Sequence, residues 1–127
     1  MKLRILDNSI RLRLTQSEVD AAATDGLVKG RVRFPGGKTF DYILENSPAT
    51  VAPEAHLSNN VLTVRVPAPD IRDWAATDRV AIDALQVLGD GEHLRILIEK
   101  DFQCLTPREG EDESDMFPHP AAGTETC

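Results

Sequence analysis

The sequence predicts an α+β protein in which a mostly antiparallel sheet carries two short helices on one face. Short segments with alternating apolar and polar residues recur along the chain, and this period of two is typical of strands with one buried face. Two segments between these strands carry helix-start signals. The run from Leu94 to Leu105 is the most hydrophobic in the chain, which predicts a strand near the centre of the sheet.

The first elements are expected to be a hairpin and a helix. Apolar and charged residues alternate on both sides of Asp7-Asn8-Ser9, which predicts a hairpin or a bent long strand. Thr15 and Glu18 have the spacing of a capping box, and Gly26 occupies a C-terminal cap position, so a helix is expected between them. Its buried stripe would consist of Val19, Ala22 and Ala23.

A second hairpin is expected at Leu27 to Phe34 and Lys38 to Glu45, joined by Pro35-Gly36-Gly37. Its core-facing residues would be Val28, Val32, Phe34, Phe40, Tyr42 and Leu44. The remaining elements before the central strand are expected to be a short strand within Thr50 to Leu57, a strand at Val61 to Val66, a helix at Pro69 to Ala76 with Trp74 in the core, a strand at Arg79 to Leu85 and a turn at Gly89-Asp90-Gly91.

This order of strand, helix, strand and strand occurs twice, and short matches indicate an internal repeat. Leu12-Arg13-Leu14 matches Val64-Arg65-Val66 at an offset of 52, and Ala23-Thr24-Asp25 matches Ala76-Thr77-Asp78 at an offset of 53. Duplication and convergence of pattern both account for these matches. We therefore expect one α+β domain at 1–105, with half-repeats at 1–46 and 60–100, followed by an acidic, proline-containing tail at 106–127.

Composition argues against several classes of protein. No window approaches the roughly 20 apolar residues of a membrane helix, and the N-terminus alternates charge with hydrophobe where a signal peptide would be apolar. A cytoplasmic protein without membrane contact is expected. The 2 cysteines are too few for a disulfide framework. The pI of about 4.9 and the low aromatic content disfavour nucleic-acid binding, and no phosphate-binding loop is present.

The net charge of -7 is concentrated at the C-terminus. Residues 101–127 hold seven acids and one base, whereas residues 1–100 hold fourteen acids and thirteen bases. Ten of the fourteen bases would lie on the open face of the predicted sheet: Lys2, Arg4, Arg11, Arg13, Lys29, Arg31, Arg33, Arg65, Arg79 and Arg95. Four acids would share that face: Asp41, Glu45, Asp83 and Glu99.

A charged face of this kind has two interpretations. Solvation of an open sheet face requires charged residues whether or not anything binds there. The alternative is an anion-binding surface, because arginine forks bind carboxylate and phosphate groups. The ligand-binding candidates are Arg11, Arg13, Arg31, Arg33, Arg65 and Arg95. In this second interpretation, Glu109 to Asp115 would fold back across the arginines as an internal competitor.

The soft-metal candidates are Cys104, His119 and Cys127. Fourteen and seven residues separate them, which matches no compact zinc pattern, and a fourth ligand would have to be a carboxylate, His56 or His93. A hard-metal site at Glu111, Asp112, Glu113 and Asp115 is another alternative, although the run lacks the internal glycine of an EF-hand loop. The triplet Glu99-Lys100-Asp101 is expected to be a solvated strand end, and a general acid or base at this position is the alternative.

Two stretches also carry a resemblance. KLRILDNSIRLRL at the start, and LIEKDFQCL followed by EDESDMFPHP near the end, resemble a family of small, functionally uncharacterised bacterial proteins, which implies no activity. Separately, the doubled order of elements is similar to that of duplicated, gyrase-inhibitor-like ligand-binding domains. That topological likeness implies a small-molecule pocket between the strands of Arg13 and Arg65.

The sequence therefore predicts a non-catalytic cytoplasmic module, without a cofactor, that binds an anionic small molecule or an acidic partner segment on an arginine-lined sheet face. A second hypothesis is a metal-dependent enzyme, using zinc or another divalent metal, built from Cys104, His119 and the tail carboxylates. A third is an assembly role in which the tail docks on another protein. The sequence leaves the ligand and the oligomeric state open.

Overall fold

The computed structural model describes residues 1–103 and 113–118. Within these ranges the chain forms eight strands and two α-helices. The strands are β1 (Lys2–Leu6), β2 (Ser9–Leu14), β3 (Leu27–Arg33), β4 (Thr39–Ser47), β5 (Glu54–Ser58), β6 (Val61–Pro67), β7 (Ala81–Gly89) and β8 (Glu92–Lys100), and the helices are α1 (Gln16–Thr24) and α2 (Ala68–Ala76).

The strands form two sheets of four, and the α+β class is confirmed. Sheet A has the order β1-β2-β8-β7, and sheet B has the order β3-β4-β6-β5. Pairing is antiparallel within each hairpin and parallel at the centre of each sheet, between β2 and β8 and between β4 and β6. The predicted central strand is indeed central, as β8. The ten bases that were expected on one sheet face are distributed differently because the strands divide between two sheets.

The first hairpin and the first helix form where the sequence predicts them. Asp7 has a φ of 47° in the turn between β1 and β2, a conformation that Asp and Asn tolerate better than most residues. Thr15 and Glu18 form the capping box of α1. Gly26, with a φ of 82°, follows the helix and donates its N–H to the carbonyl of Ala21. The expected burial of Ala23 is wrong, because this side chain is exposed.

The second hairpin is also confirmed, but two of its expected core residues are exposed. Val32 is 43% exposed and Phe34 is 51% exposed. The pairing of β4 with β6 begins only at Asp41, so the tip of this hairpin extends beyond the neighbouring strand, and the described part of the chain leaves its inward side chains exposed. Further along β3, Gly30 lies opposite Tyr42, and a Cβ at Gly30 would come within 2.2 Å of the tyrosine ring.

The second half repeats the order of the first, strand-strand-helix-strand-strand. The bounds of β1 and of α1 recur 52 residues later as those of β5 and of α2. The predicted strand at Arg79 to Leu85 begins later, at Ala81, and continues to Gly89. Trp74 is fully buried, as expected, and its indole N–H donates to the carbonyl of Val80 at 3.0 Å.

The core lies where the helices meet both sheets. Helix α1 contacts β2 of sheet A and both β3 and β4 of sheet B, while α2 contacts β6, β4 and β7. The strand residues that face this core alternate with outward residues, as the patterns of β2 and β6 show. The largest fully buried side chains are Trp74, Leu12, Leu14, Leu44, Ile71, Ile82, Ile96, Ile98, Val64 and Val66. In the described ranges, neither helix has the length and apolar character needed to cross a membrane.

Candidate functional site

Sheet A presents a basic surface on the side opposite to its buried residues, and we call it the outer face of sheet A. The strand register arranges its side chains in rows across β1, β2, β8 and β7. The rows are Lys2, Arg13, Glu99 and Ala81, then Arg4, Arg11, Leu97 and Asp83, then Leu6, Ser9, Arg95 and Leu85. Five of these residues are basic and two are acidic, so the face carries net positive charge.

Two pairs of like charges lie side by side on this face. Lys2 is directly opposite Arg13, and Arg4 is directly opposite Arg11. Like charges in directly opposed positions destabilise a sheet. Lys2 is compensated by Asp101, whose carboxylate lies 3.0 Å from its amine. Arg4 is exposed and forms no ion pair within residues 1–103 and 113–118.

Glu99 is the main counter-charge at the centre of the outer face of sheet A. It accepts a hydrogen bond from Nε of Arg13 at 2.6 Å, and Nε of Arg11 lies 3.4 Å from the same oxygen. The side chains of Arg13 and Glu99 are 21% and 16% exposed, so this pair is partly shielded from water. Arg95 contacts Asp83 more loosely, at 3.2 and 3.4 Å, with both side chains more than half exposed. The carboxylate of Glu99 is therefore the counter-charge of both Arg11 and Arg13, whereas Arg95 pairs with Asp83.

The outward side of sheet B has a more even balance of charge. Arg31 donates two hydrogen bonds to Asp41, at 2.8 and 3.0 Å. These bonds hold the pKa of the Asp41 carboxyl below its ordinary value and raise that of Arg31. Arg65 donates to Glu45 at 2.8 Å. Four bases and three acids face outward here: Lys29, Arg31, Arg33, Arg65, Asp41, Glu45 and Glu54.

The structure therefore separates the six arginines proposed as ligand-binding residues into two groups of three. Arg11, Arg13 and Arg95 lie in sheet A, and Arg31, Arg33 and Arg65 lie in sheet B. The topological likeness implies a pocket between β2 and β6, and these two strands belong to different sheets and do not pair.

Arg79 is not on a sheet face, and that expectation is wrong. It precedes β7 and lies beside α2, where Nη1 is 3.5 Å from a carboxylate oxygen of Asp70 and 3.1 Å from one of Asp73. Its Nε also donates to the carbonyl of Ala81 at 3.1 Å. Because these contacts connect a helix with the start of a strand, Arg79 has a structural role.

The described part of the acidic tail, residues 113–118, packs against the body at the start of α1. Asp115 accepts hydrogen bonds from the hydroxyl and the backbone N–H of Ser17 through its carboxylate, and from the backbone N–H of Gln16 through its carbonyl. The hydrogen bond from the Ser17 hydroxyl is the main cause of a pKa below the ordinary value for Asp115. Asp115, Arg13 and Lys2 line the same cleft, with a volume of about 340 Å³. The expected placement across the arginines concerned 109–115, of which 109–112 lie outside the described residues.

The tail also covers residues that were expected to be solvated. Met116 is buried. The ring centroid of Phe117 lies 5.3 Å from Nζ of Lys100 and 5.8 Å from the ring centroid of Phe102. Lys100 is only 7% exposed and Asp101 only 2% exposed, so the interpretation of this triplet as a solvated strand end is wrong for these two residues. Burial lowers the pKa of Lys100. Its amine donates to the carbonyl of Thr77 at 2.8 Å, at the C-terminal end of α2, where a cation is favourable.

The soft-metal candidates Cys104, His119 and Cys127 lie outside the described residues, as do Glu111 and Asp112. His56 is on β5 in sheet B, and His93 is on β8 in sheet A. Within 1–103 and 113–118, no three His, Cys, Asp or Glu residues are grouped as metal ligands would be.

Lys2 and Arg4 belong to the face but were not among the ligand-binding candidates. Both were expected on the open face, and the hairpin provides the signal that could have added them to the candidates. Counting outward from the turn at Asp7 places Lys2 opposite Arg13 and Arg4 opposite Arg11. The exposed apolar residues of the same face gave no such signal, because outward Leu6 and Leu85 could equally be covered by another part of the chain.

Fold and site together define an α+β protein with two hairpin-built sheets, the first of which has a basic outer face beside a tail-capped helix. The chain belongs to a family of unknown function, DUF7009, whose model matches residues 1–121. This agrees with the resemblance to an uncharacterised family. Neither the curated proteins nor the solved structures contain a match to the chain.

Proposed function

We propose that this protein is a cytoplasmic, non-catalytic module that binds an anionic small molecule or an acidic partner segment on the outer face of sheet A. The pair of directly opposed arginines, Arg4 and Arg11, is the observation that carries this proposal. Their mutual repulsion works against folding, whereas an anion held between two guanidinium groups would gain charge-assisted hydrogen bonds from both. Glu99 contacts Arg11 but not Arg4, so the pair is a cost to the free protein that a bound anion would reduce.

The position of the tail supports its role as an internal competitor. Asp115 already places a carboxylate in the cleft that Arg13 and Lys2 line. A ligand carboxylate that enters this cleft meets the negative charge of Asp115, so tail and ligand oppose each other electrostatically. In this proposal the tail weakens binding, and its removal strengthens it.

We also propose that the two halves arose by duplication of one strand-strand-helix-strand-strand unit. The constant offset of 52 residues between β1 and β5 and between α1 and α2 supports this. In such a duplication, Arg13 and Arg65 are equivalent, and each pairs with a glutamate on the parallel neighbouring strand. The binding face would then be a specialisation of one sheet.

Calorimetric titration of the full chain with citrate and with hexaglutamate tests the binding proposal. The double variant Arg4→Gln/Arg11→Gln is compared with Lys29→Gln/Arg33→Gln, which removes two exposed bases from sheet B. We expect the first variant to weaken binding about tenfold or more, because each lost charge-assisted bond contributes about 1.5 kcal/mol or more. We expect the second to remain within about twofold of the unmodified protein. Equal losses in the two variants, or no binding of either probe at low salt, would contradict the proposal.

A further inference from the structure

The outer face of sheet A combines its bases with exposed apolar side chains. Leu6 is 71% exposed and Leu85 is 64% exposed, at the two ends of the row that contains Arg95. Val87, two residues beyond Leu85 on β7, is 72% exposed. A face that served only solvation would not need large apolar residues in these positions.

These apolar residues continue into a concave region. Leu85 and Val87 line a cleft of about 450 Å³ whose other wall is the connection between β4 and β5, including Val51 and Pro53. Val51 is 96% exposed. The cleft is therefore open to a side chain from outside, and both walls contribute apolar side chains beside the polar residues Thr50, Glu54 and Gln86.

The dimensions of the face indicate the size of its occupant. The first row, with Lys2 and Arg13, is four residues along the strands from the row with Leu6 and Arg95, which corresponds to about 14 Å. The four strands span about 14 Å in the other direction. The row with Arg4 and Arg11 lies two residues, about 7 Å, from the row with Leu6. A small anion held between Arg4 and Arg11, on β1 and β2, therefore does not also reach Leu85 and Val87 on β7, at the opposite edge of the sheet. An extended peptide of four or five residues spans the whole distance.

We propose that the occupant is a segment of a partner protein that carries both acidic and apolar side chains. Its carboxylates pair with Arg4 and Arg11, and its apolar side chains contact Leu6, Leu85 and the cleft beside Val87. The net positive charge of the face is complementary to such a segment, and apolar contacts surrounded by charged pairs are the ordinary composition of a protein interface. This inference rests on the proposed function and decides between its two classes of ligand.

Two synthetic octapeptides separate the contributions of charge and apolar contact. One alternates glutamate with leucine and the other alternates glutamate with serine, so both carry the same charge. We expect the leucine peptide to bind the full chain at least about tenfold more tightly, because burying two leucine side chains adds well over 1.4 kcal/mol. Citrate serves as the small-anion probe in the same titrations.

The variant Leu6→Ser/Leu85→Ser should abolish the preference for the leucine peptide while leaving the affinity for the serine peptide unchanged. Leu57→Ser is the matched control, because Leu57 is 68% exposed but lies on β5 of sheet B; it should preserve the preference. Both substituted leucines are exposed, so the fold should survive, which circular dichroism checks.

The remaining outcomes have definite meanings. If citrate and both peptides bind with similar affinity and the leucine substitutions change nothing, the partner inference is wrong while the binding of anions stands. If the leucine peptide binds equally well to Arg4→Gln/Arg11→Gln, this surface is only an apolar patch, and both proposals are wrong. Loss of the preference in Leu57→Ser would place the apolar contact on sheet B and overturn the inference.

Discussion

Sheets A and B have the same architecture and different outer surfaces. In each, two hairpins meet along a parallel pair of central strands, and an arginine pairs with a glutamate across that junction, Arg13 with Glu99 in sheet A and Arg65 with Glu45 in sheet B. The shared frame shows that this arginine-glutamate pair belongs to the junction of the sheet. Arg13 and Arg65 were singled out from sequence as ligand-binding residues, yet both have this structural partner.

The difference lies in the edge hairpin beside that junction. In sheet A, Lys2 opposes Arg13 and Arg4 opposes Arg11. At the equivalent positions of sheet B, Glu54 opposes Arg65, and His56 opposes Thr63. Sheet B thus pairs opposite charges at the first of these positions and has no pair of like charges at the second, whereas sheet A pairs like charges at both. Directly opposed bases therefore occur at these positions of sheet A and not at the equivalent positions of sheet B, and this asymmetry is the reason for proposing a binding face on sheet A.

The helices provide the sharpest structural contrast between the two halves. At an offset of 52, Trp74 of α2 takes the place of Ala22 in α1, and both are fully buried. Trp74→Ala should lower the free energy of unfolding by about 3–5 kcal/mol, because it leaves a large cavity and an unused acceptor at Val80. Urea denaturation followed by circular dichroism measures this loss without depending on tryptophan fluorescence.

Arg72→Ala is the control for that substitution. Arg72 is exposed in the same helix, and its replacement should change the free energy of unfolding by less than about 0.5 kcal/mol. If Trp74→Ala cost no more than this control, the second helix would not anchor the core, and the two halves would not share one core.

The second prediction compares the two junction pairs directly. Glu99→Gln should cost about 1–3 kcal/mol of unfolding free energy, since it removes the shared counter-charge of Arg11 and Arg13 in a partly shielded position. Glu45→Gln should cost about 0.5 kcal/mol or less, because the side chains of Glu45 and Arg65 are 36% and 38% exposed. Both variants are measured by urea denaturation at low salt.

Repeating the two measurements in about 1 M salt sharpens the result, because screening weakens exposed pairs most. The small loss in Glu45→Gln should then vanish, while most of the loss in Glu99→Gln should persist. Equal losses of unfolding free energy in the two variants at low salt would mean that Glu99 contributes no more to stability than Glu45 does. The proposed energetic contrast between the two sheets would then be wrong.

Local patterns in the sequence were sufficient for most of the fold. The capping box at Thr15, the glycine after α1 and the turn at Asp7 each depend on residues a few positions apart, so they are legible without knowledge of the rest of the chain. The division into two sheets depends on which hairpins meet. β2 pairs with β8, more than 80 residues away, and no local signal encodes that choice.

The site was predictable to the same extent. Alternation within β2 and β8 placed Arg11, Arg13 and Arg95 outward correctly, because parity is a local property. Whether an outward arginine has a partner depends on pairing across strands, and the partners Glu99 and Asp83 became assignable only with the register. The burial of Lys100 was missed because the residue that covers it, Phe117, follows later in the sequence, in the tail, and no local pattern links the two.

The smallest expected effect concerns the two helix starts. At the start of α1, Asp115 of the tail accepts a hydrogen bond from Ser17. The start of α2 contains Pro67 and Pro69, which have no backbone N–H to donate. The pKa of Asp115 is lowered in the folded protein, so its contribution to tail docking is fully present above the ordinary aspartate pKa of 3.8 and is lost as the pH falls through the lowered value. The tail should therefore stay docked at neutral pH and leave the body only in acid below the ordinary aspartate pKa of 3.8.

The methyl signal of Met116 reports this docking, because Met116 is buried against the body and the chain has only 2 methionines. Asp115→Asn retains an acceptor for Ser17 without a titrating group, so its Met116 signal should lose the acid-dependent shift of the unmodified protein. Asp115→Ala should shift the signal toward the undocked position already at neutral pH. Circular dichroism over the same pH range separates undocking from acid unfolding. If Asp115→Asn kept the full acid-dependent shift, a group other than Asp115 would control the docking of the tail. The proposed competition between Asp115 and a ligand for the cleft beside Arg13 would then lose this support.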